Sequence, residues 1–250
     1  MFLVHQSRIL RAVALGFVAA LAAGCTADPG TGAFNDPYEA QNRATHDANS
    51  EVDSLVLRPT SKAYGAGIPK PVQQGISNFS DNFETPGVMV NNLLQGDVEH
   101  LVENTFRFVI NSTIGFAGVL DTAEAFGLHG KSTDFGETLH VWGVKEGAYL
   151  ELPLYGPSTE RDAARLVVDL VLNPLGFVLP KPEKYLGTIT KLASKVGDRG
   201  RYSDTVDSIL YDSADSYAQS RLLYLQNRRF ELGQEALSDT FDPYEDPYGP

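Results

Sequence analysis

Apolar positions along the chain form three kinds of run, and each predicts something different. The first is Ala12 to Ala23, an unbroken apolar stretch preceded by Arg8 and Arg11. It is shorter than the roughly 20 apolar residues needed to cross a bilayer and suits the central region of a signal peptide. The second is periodic: Val98, Leu101, Val102, Val109 and Ile110 recur at the spacing of one helix face, with Asp97 placed to cap the helix. The third is broken. NSTIGFAGVLDTAEAFGL (111–128) carries only Asp121 and Glu124 as charges, and LVVDLVLNPLGFVLP (166–180) is interrupted by Asp169, Pro174 and Gly176. Neither reads as a simple spanning helix, and both suit segments lying in one leaflet. Phe116, Val119 and Leu120 in the first, with Leu172, Leu175 and Phe177 in the second, are the candidate membrane-embedded residues.

The remaining pattern is mainly helical. Asp36-Pro37 offers a cap and a first helical position, and that helix is predicted to reach about Leu57 and stop before Pro59. A second runs from Lys70 to Phe83, and a third opens at Thr85-Pro86 and ends at Gly96. Residues 134–162 predict a brief helix or turn followed by the extended segment YLELPLY. Thr159 and Asp162 have capping-box spacing, starting a helix that ends near Leu172 at Asn173-Pro174. A long helix is predicted from Ser203 to Leu232. Asp204, Asp207, Asp212 and Asp215 lie early in it, and Arg221, Arg228 and Arg229 late, as its dipole favours. Residues 26–35 read as a spacer, and 233–250, acidic and without a base, as a mobile tail.

The single cysteine changes the picture. Ala22, Ala23 and Gly24 lead directly into Cys25, where a bacterial lipoprotein carries its diacylglycerol. Residues 1–24 are therefore read as the signal peptide, and 25–35 as the lipidated spacer. The usual lipobox has Leu three places before the cysteine, whereas here that place holds Ala22 and Leu21 stands one earlier. Thr26 is not the Asp that retains enteric lipoproteins in the inner membrane, so an outer-membrane anchor is expected. With Cys25 acylated no disulfide can form. A formal charge of −12 disfavours nucleic acid and anionic headgroups, and 42% hydrophobic residues predict a core of ordinary size.

Catalytic chemistry finds little support. Gly75-Ile76-Ser77-Asn78-Phe79 and Gly156-Pro157-Ser158-Thr159-Glu160 begin like a nucleophile elbow and fail at the last glycine. His46, His100, His129 and His140 lack metal-binding spacing. His140 beside Trp142, with Asp134 and Glu137 near in sequence, is the one candidate general base, and a hydrogen-bonded turn explains it as well. No phosphate-cradling loop occurs, and no cofactor is expected.

Three blocks carry a family resemblance: VNNLLQG (90–96), RFVINSTIGFAGVLDTA (107–123) and DFGETLHVWGVKEGAYLELPLYGPSTERD (134–162). With DPYEAQNR (36–43) and Arg58-Pro59, they resemble the MlaA (VacJ) family of phospholipid-binding outer-membrane lipoproteins. The resemblance implies a single ring-like helical domain over 36–232, with short horizontal helices in the inner leaflet of the outer membrane and a central amphipathic channel. It implies retrograde phospholipid transport that maintains lipid asymmetry, without an enzymatic step. The implied partners are phospholipids, a trimeric porin and a periplasmic lipid carrier. Arg107, Asp134, Arg161 and Asp162, inside these motifs, are candidates either to line the channel or to form structural pairs. Where the family carries an aromatic-rich stretch, ATHDANSEVD (44–53) is polar and unsuited to the leaflet. Ala148 replaces the usual proline. The rival readings are a phospholipase-like enzyme and a structural, porin-associated lipoprotein.

Overall fold

The structure is a computed structural model that describes residues 34–234, apart from Asn173. The segment read as a signal peptide, Cys25, most of the expected spacer and most of the acidic C-terminal stretch lie outside the described residues. Eleven α-helices and one hairpin follow in order: α1 (Glu39–Val52), α2 (Arg58–Gly67), α3 (Lys70–Gln95), α4 (Val98–Thr113), α5 (Thr122–Ala125), α6 (Phe135–Val141), β1 (Tyr149–Leu152), β2 (Gly156–Thr159), α7 (Glu160–Leu172), α8 (Leu175–Val178), α9 (Leu186–Arg201), α10 (Ser203–Leu210) and α11 (Ser216–Glu231). The strands pair antiparallel, Tyr149 opposite Thr159 and Leu152 opposite Gly156.

Helix starts follow the predicted caps at Asp97 and Thr159 but not at Asp36-Pro37: α1 begins at Glu39 without a side-chain cap, and the Asp36 carboxylate instead accepts from Asn42, Tyr217 and Arg221. Asp97 accepts from the His100 N–H, and Thr159 Oγ1 accepts from the Asp162 N–H at 3.2 Å as α7 begins. Helix stops agree less well. The first helix passes Pro59: a π-helical turn (Asp53–Leu57) changes the hydrogen-bond register, so the missing proline N–H falls in the first turn of α2. The predicted second and third helices are one, α3. Thr85 is not a cap there, because its hydroxyl bonds back to the Asp81 carbonyl at 2.9 Å, and Pro86 lies inside the helix. The predicted last helix is two, because Asp215 accepts from the Ala218 N–H and thereby starts α11. Helix α9 had no counterpart in the pattern. Its Gly187 meets the ring of Phe83, Gly197 meets Tyr64, and Gly200 meets the Ser61 carbonyl, so its glycines are contact points against α3 and α2.

The packing order closes on itself. Helix α1 leads into α2, which packs on α9, and α9 on α3. Helix α3 packs on α6, α6 on α7, α7 on the hairpin, and β1 returns to α1. The polar α1 segment makes the closure. Asn42 donates to the Tyr149 carbonyl at 3.1 Å and accepts from the Glu151 N–H at 2.9 Å, and His46 Nε2 lies 3.1 Å from Ser216 Oγ. Arg199 bridges Asp53 (2.7 Å) and Asp207 (2.6 Å), tying the π turn to α9 and α10.

The expected core of ordinary size is not there. Among the described residues 8 hydrophobic side chains are buried against 18 polar or charged ones, and 29 large hydrophobic side chains are exposed. The apolar clusters are small: Phe135, Leu139 and Ala164 in one, Tyr149, Tyr217 and Leu225 in the other. Apolar surface at this density, left outside in water, is the signature of a surface meant to be covered. No helix of the described residues is long and apolar enough to cross a membrane.

Candidate functional site

Helix α4 shows how the chain is turned inside out. Val98, Val102, Phe106 and Val109 form one exposed stripe at helical spacing. The opposite face buries Asn104 and Asn111. Asn104 donates to Asn92 Oδ1 (3.0 Å) and to the Lys131 carbonyl (3.0 Å), while Asn111 donates to Asp121 (2.9 Å) and accepts from the Ala123 N–H. Asn82 on α3 reaches Ser112 at 3.1 Å. Gly118, in the left-handed region at φ 94°, packs directly on Asn82, where a side chain would collide. Amides join α3 to α4 where a soluble helix pair would use leucines, a mode of association suited to an apolar surrounding.

Of the six candidate membrane-embedded residues, Phe116 (74% exposed), Val119 and Leu120 project from the turn after α4, beside its apolar stripe. Leu175 is half-buried at the start of α8, and the side chains of Leu172 and Phe177 lie outside the described residues.

The charged candidates separate into two places. Arg107 holds the loop after α4 through Asp121 (2.8 Å), Glu124 (3.4 Å) and the Leu128 carbonyl. Asp134 and Asp162 meet through Arg228, which reaches Asp134 Oδ1 at 2.8 Å and Asp162 Oδ1 at 3.0 Å. Arg165 adds a second cation to Asp134 at 2.8 Å, and the Tyr224 hydroxyl donates to Asp162 at 2.5 Å. Burial alone would raise the Asp134 pKa, but the Arg228 hydrogen bond and the Arg165 charge more than offset it and hold it below the ordinary value. Gly136 is what lets this knot close, because a methyl there would collide with Asp162 and lie 2.6 Å from Arg228 Nη2. Arg161 is buried nearby with its Nε 4.0 Å from Asp162, and burial pushes its pKa down. Neither Nε nor Nη2 of Arg161 has a hydrogen-bond partner among the described residues. The acids near His140 in sequence are committed elsewhere, Asp134 to the two arginines and Glu137 to Lys131 (2.7 Å) and Thr133 (2.8 Å).

A polar cavity of about 550 Å³ opens beside this knot, lined by Lys131, Thr133, Asp134, Glu137, Arg165, Tyr224, Asn227, Arg228 and Glu231. Charged side chains from three helices also gather around Arg165: Lys191 on α9 pairs with Glu84 on α3 at 2.6 Å, and Lys195 on α9 lies over the ring of Tyr155, whose hydroxyl accepts from Arg165 on α7. Asp81 is solvent-exposed, yet burial and the charges of Glu84, Asp198 and Asp121 push its pKa up to about 6. Asp169, half-buried, is pushed up to about 6 by burial and by Asp134. The exposed Lys195 is pushed down by burial and by Lys191 and Arg165. A group that is both accessible and desolvated lies in a recess, and these three, from α3, α7 and α9, share Lys191 as an electrostatic neighbour.

The family profile described as MlaA lipoprotein matches residues 34–231. The chain belongs to the MlaA family. MlaA relatives include the proteins named intermembrane phospholipid transport system lipoprotein MlaA in Shigella flexneri and in Escherichia coli K12. Each is 33% identical to this chain over 227 residues, covering 88% of either sequence. The Haemophilus influenzae protein of the same name is 29% identical, covering 82% of each chain. A solved structure from work on the structural basis for maintenance of bacterial outer membrane lipid asymmetry aligns with a TM-score of 0.65. It is 31% identical and covers 79% of this chain and 98% of that one. The MlaA motif residues Asp134 and Asp162 fall in one network. Their partners Arg165, Tyr224 and Arg228 were not singled out as site residues from the sequence, because Tyr224 and Arg228 stand more than sixty positions from Asp162. The buried asparagines were also missed, although Asn104 and Asn111 stand seven residues apart on the face opposite the valines.

Proposed function

We propose that this chain is an outer-membrane lipoprotein that removes mislocalised phospholipids from the outer leaflet and passes them to a periplasmic carrier, maintaining lipid asymmetry. The observation that carries the reading is the inverted distribution of polarity around a closed circuit of helices. The α4 stripe and the 114–120 turn meet acyl chains, so the circuit lies in one leaflet as a ring. The charged recess gives a headgroup a polar route through an apolar medium, where an unsolvated charge would cost about 2.5–3.5 kcal/mol at full depth. Cys25 carries the lipid anchor, a trimeric porin holds the ring in place, and a soluble carrier receives the lipid. Transport of this kind makes and breaks no bond. It has no energy source of its own, so its direction comes from the partners.

Deletion tests the reading. Loss of the protein should let phospholipid accumulate in the outer leaflet and sensitise cells to detergent, and the full-length chain should restore both. A deletion strain with normal asymmetry, in a cell holding no second such chain, would overturn it. Release of fatty acid or lysolipid from labelled phospholipid by the purified protein would replace transport with hydrolysis.

A further inference from the structure

The charged recess has a pattern that none of its structural ties explains. Most cations around it are paired: Lys191 with Glu84 and Arg165 with Asp134. Lys195 makes no ion pair among the described residues. Its ammonium instead lies 4.8 Å from the centre of the Tyr155 ring. The Tyr155 hydroxyl accepts from Arg165 Nη2 at 2.6 Å, which leaves the phenolic proton free to donate. The Arg165 Nε is buried without a hydrogen-bond partner among the described residues. Two cations are thus held one tyrosine apart, although they repel each other.

The acids show the mirror image. Asp169 follows Arg165 by one helical turn, so it shares that face of α7. One of its oxygens accepts from the Phe135 N–H at 3.2 Å, and it pairs with no cation among the described residues. Asp81, on the α3 wall, makes no ion pair there either. Lys191 is within electrostatic reach of both acids. An unpaired carboxylate in a desolvated recess is stabilised by an incoming ammonium, just as a repelling cation pair is stabilised by an incoming anion.

We propose that this recess selects zwitterionic phospholipids with a primary amine: Lys195, Arg165 and Tyr155 take the phosphodiester, and Asp169 and Asp81 take the ammonium of an ethanolamine headgroup. The inference rests on the lipid-transport reading and adds a substrate preference to it. Arginine and tyrosine suit a phosphodiester because their donors are directional, and lysine supplies a mobile point charge. A glycerol headgroup leaves both carboxylates without a cation, which disfavours its entry.

The test uses purified full-length protein incubated with vesicles of equal parts phosphatidylethanolamine and phosphatidylglycerol, re-isolated, and its retained lipid quantified by mass spectrometry. Wild type should retain more phosphatidylethanolamine than phosphatidylglycerol. Asp169→Asn and Asp81→Asn, near-isosteric changes, should each lower that ratio about threefold, the scale of one partly exposed charge pair, with total lipid little changed. Lys195→Gln should lower total lipid, and Lys195→Arg should restore it. Glycerophosphoethanolamine in excess should displace bound lipid. If that soluble compound is retained and vesicle lipid is not, the occupant is a metabolite and the proposal falls. An unchanged headgroup ratio in both Asn variants, with lipid still bound, overturns the selection alone. A wild-type protein that retains no phospholipid overturns the transport reading and the preference with it.

Discussion

The side-chain amide of Asn104 on α4 donates to the side-chain carbonyl of Asn92 in the last turn of α3 at 3.0 Å, and both residues are buried. Two helices whose valines face outward are joined by amides facing inward. This arrangement costs little only if the valines are covered by something as apolar as themselves.

Asn104→Ala should therefore be destabilising even though it replaces a polar residue with an apolar one. It leaves the Asn92 oxygen and the Lys131 carbonyl without their donor, at about 1–3 kcal/mol. Thermal unfolding in lipid nanodiscs checks it, and an unshifted melting curve would mean that the amide contact carries no weight.

Two glycine substitutions should have opposite signs. Gly136→Ala forces a methyl into Asp162 and Arg228 and should cost about 1–3 kcal/mol. Gly65→Ala, in α2 with nothing within 4 Å of the new methyl, should stabilise by about 0.5–1 kcal/mol. Denaturant midpoints of the two variants, measured side by side, decide it.

Stability should pass through a maximum in mildly acid solution. Asp53 and Asp134 have depressed folded-state values, because bonds from Arg199 and Tyr211, and from Arg228, outweigh burial. Their contribution is present above about pH 4, the unfolded value, and is lost as pH falls through the folded values below it. Asp81 and Asp169 have the opposite sign. Raised to about 6, they bind protons more tightly when folded, so their contribution falls as pH rises from about 4 to 6. Melting temperature against pH should rise from neutral to about pH 5 and drop below about pH 4. An Asp81→Asn, Asp169→Asn double variant should flatten the first limb and leave the second.

The outward stripe of α4 should be inaccessible from water. Spin labels at Val102→Cys and Phe116→Cys in a detergent-free membrane preparation should be shielded from a water-soluble relaxing agent, and a label at the exposed Gln219→Cys should not. Phe106→Asp should weaken membrane association, by up to about 2.5–3.5 kcal/mol at full depth. Equal accessibility at 102, 116 and 219 would place the stripe outside the leaflet.

Local chemistry was legible in the amino-acid sequence. Asp97 and Thr159 act at helix starts, Gly96 ends α3 in the left-handed conformation, and Asn173-Pro174 follows the end of α7. These depend on the residue's own backbone preferences and on neighbours within a turn. The mainly helical class and the family were also readable there, because motif order lies along the chain. The sequence pattern was less able to say which breaks are real. Pro59 was read as a stop and Thr85-Pro86 as the start of a new helix, yet both prolines lie within continuous helical segments, the first eased by a π turn and the second held by the packing of α3 against α4 and α9. Only tertiary structure decided which way each face points. The valines at 98, 102 and 109 have the spacing that a water-soluble protein would turn inward. Periodicity states that a helix has two faces and cannot state what solvent each one meets. The charged recess was invisible for a related reason: Asp81, Arg165, Asp169 and Lys195 come from three helices distant in sequence, and only the packing of α3 against α7 and α9 makes them neighbours.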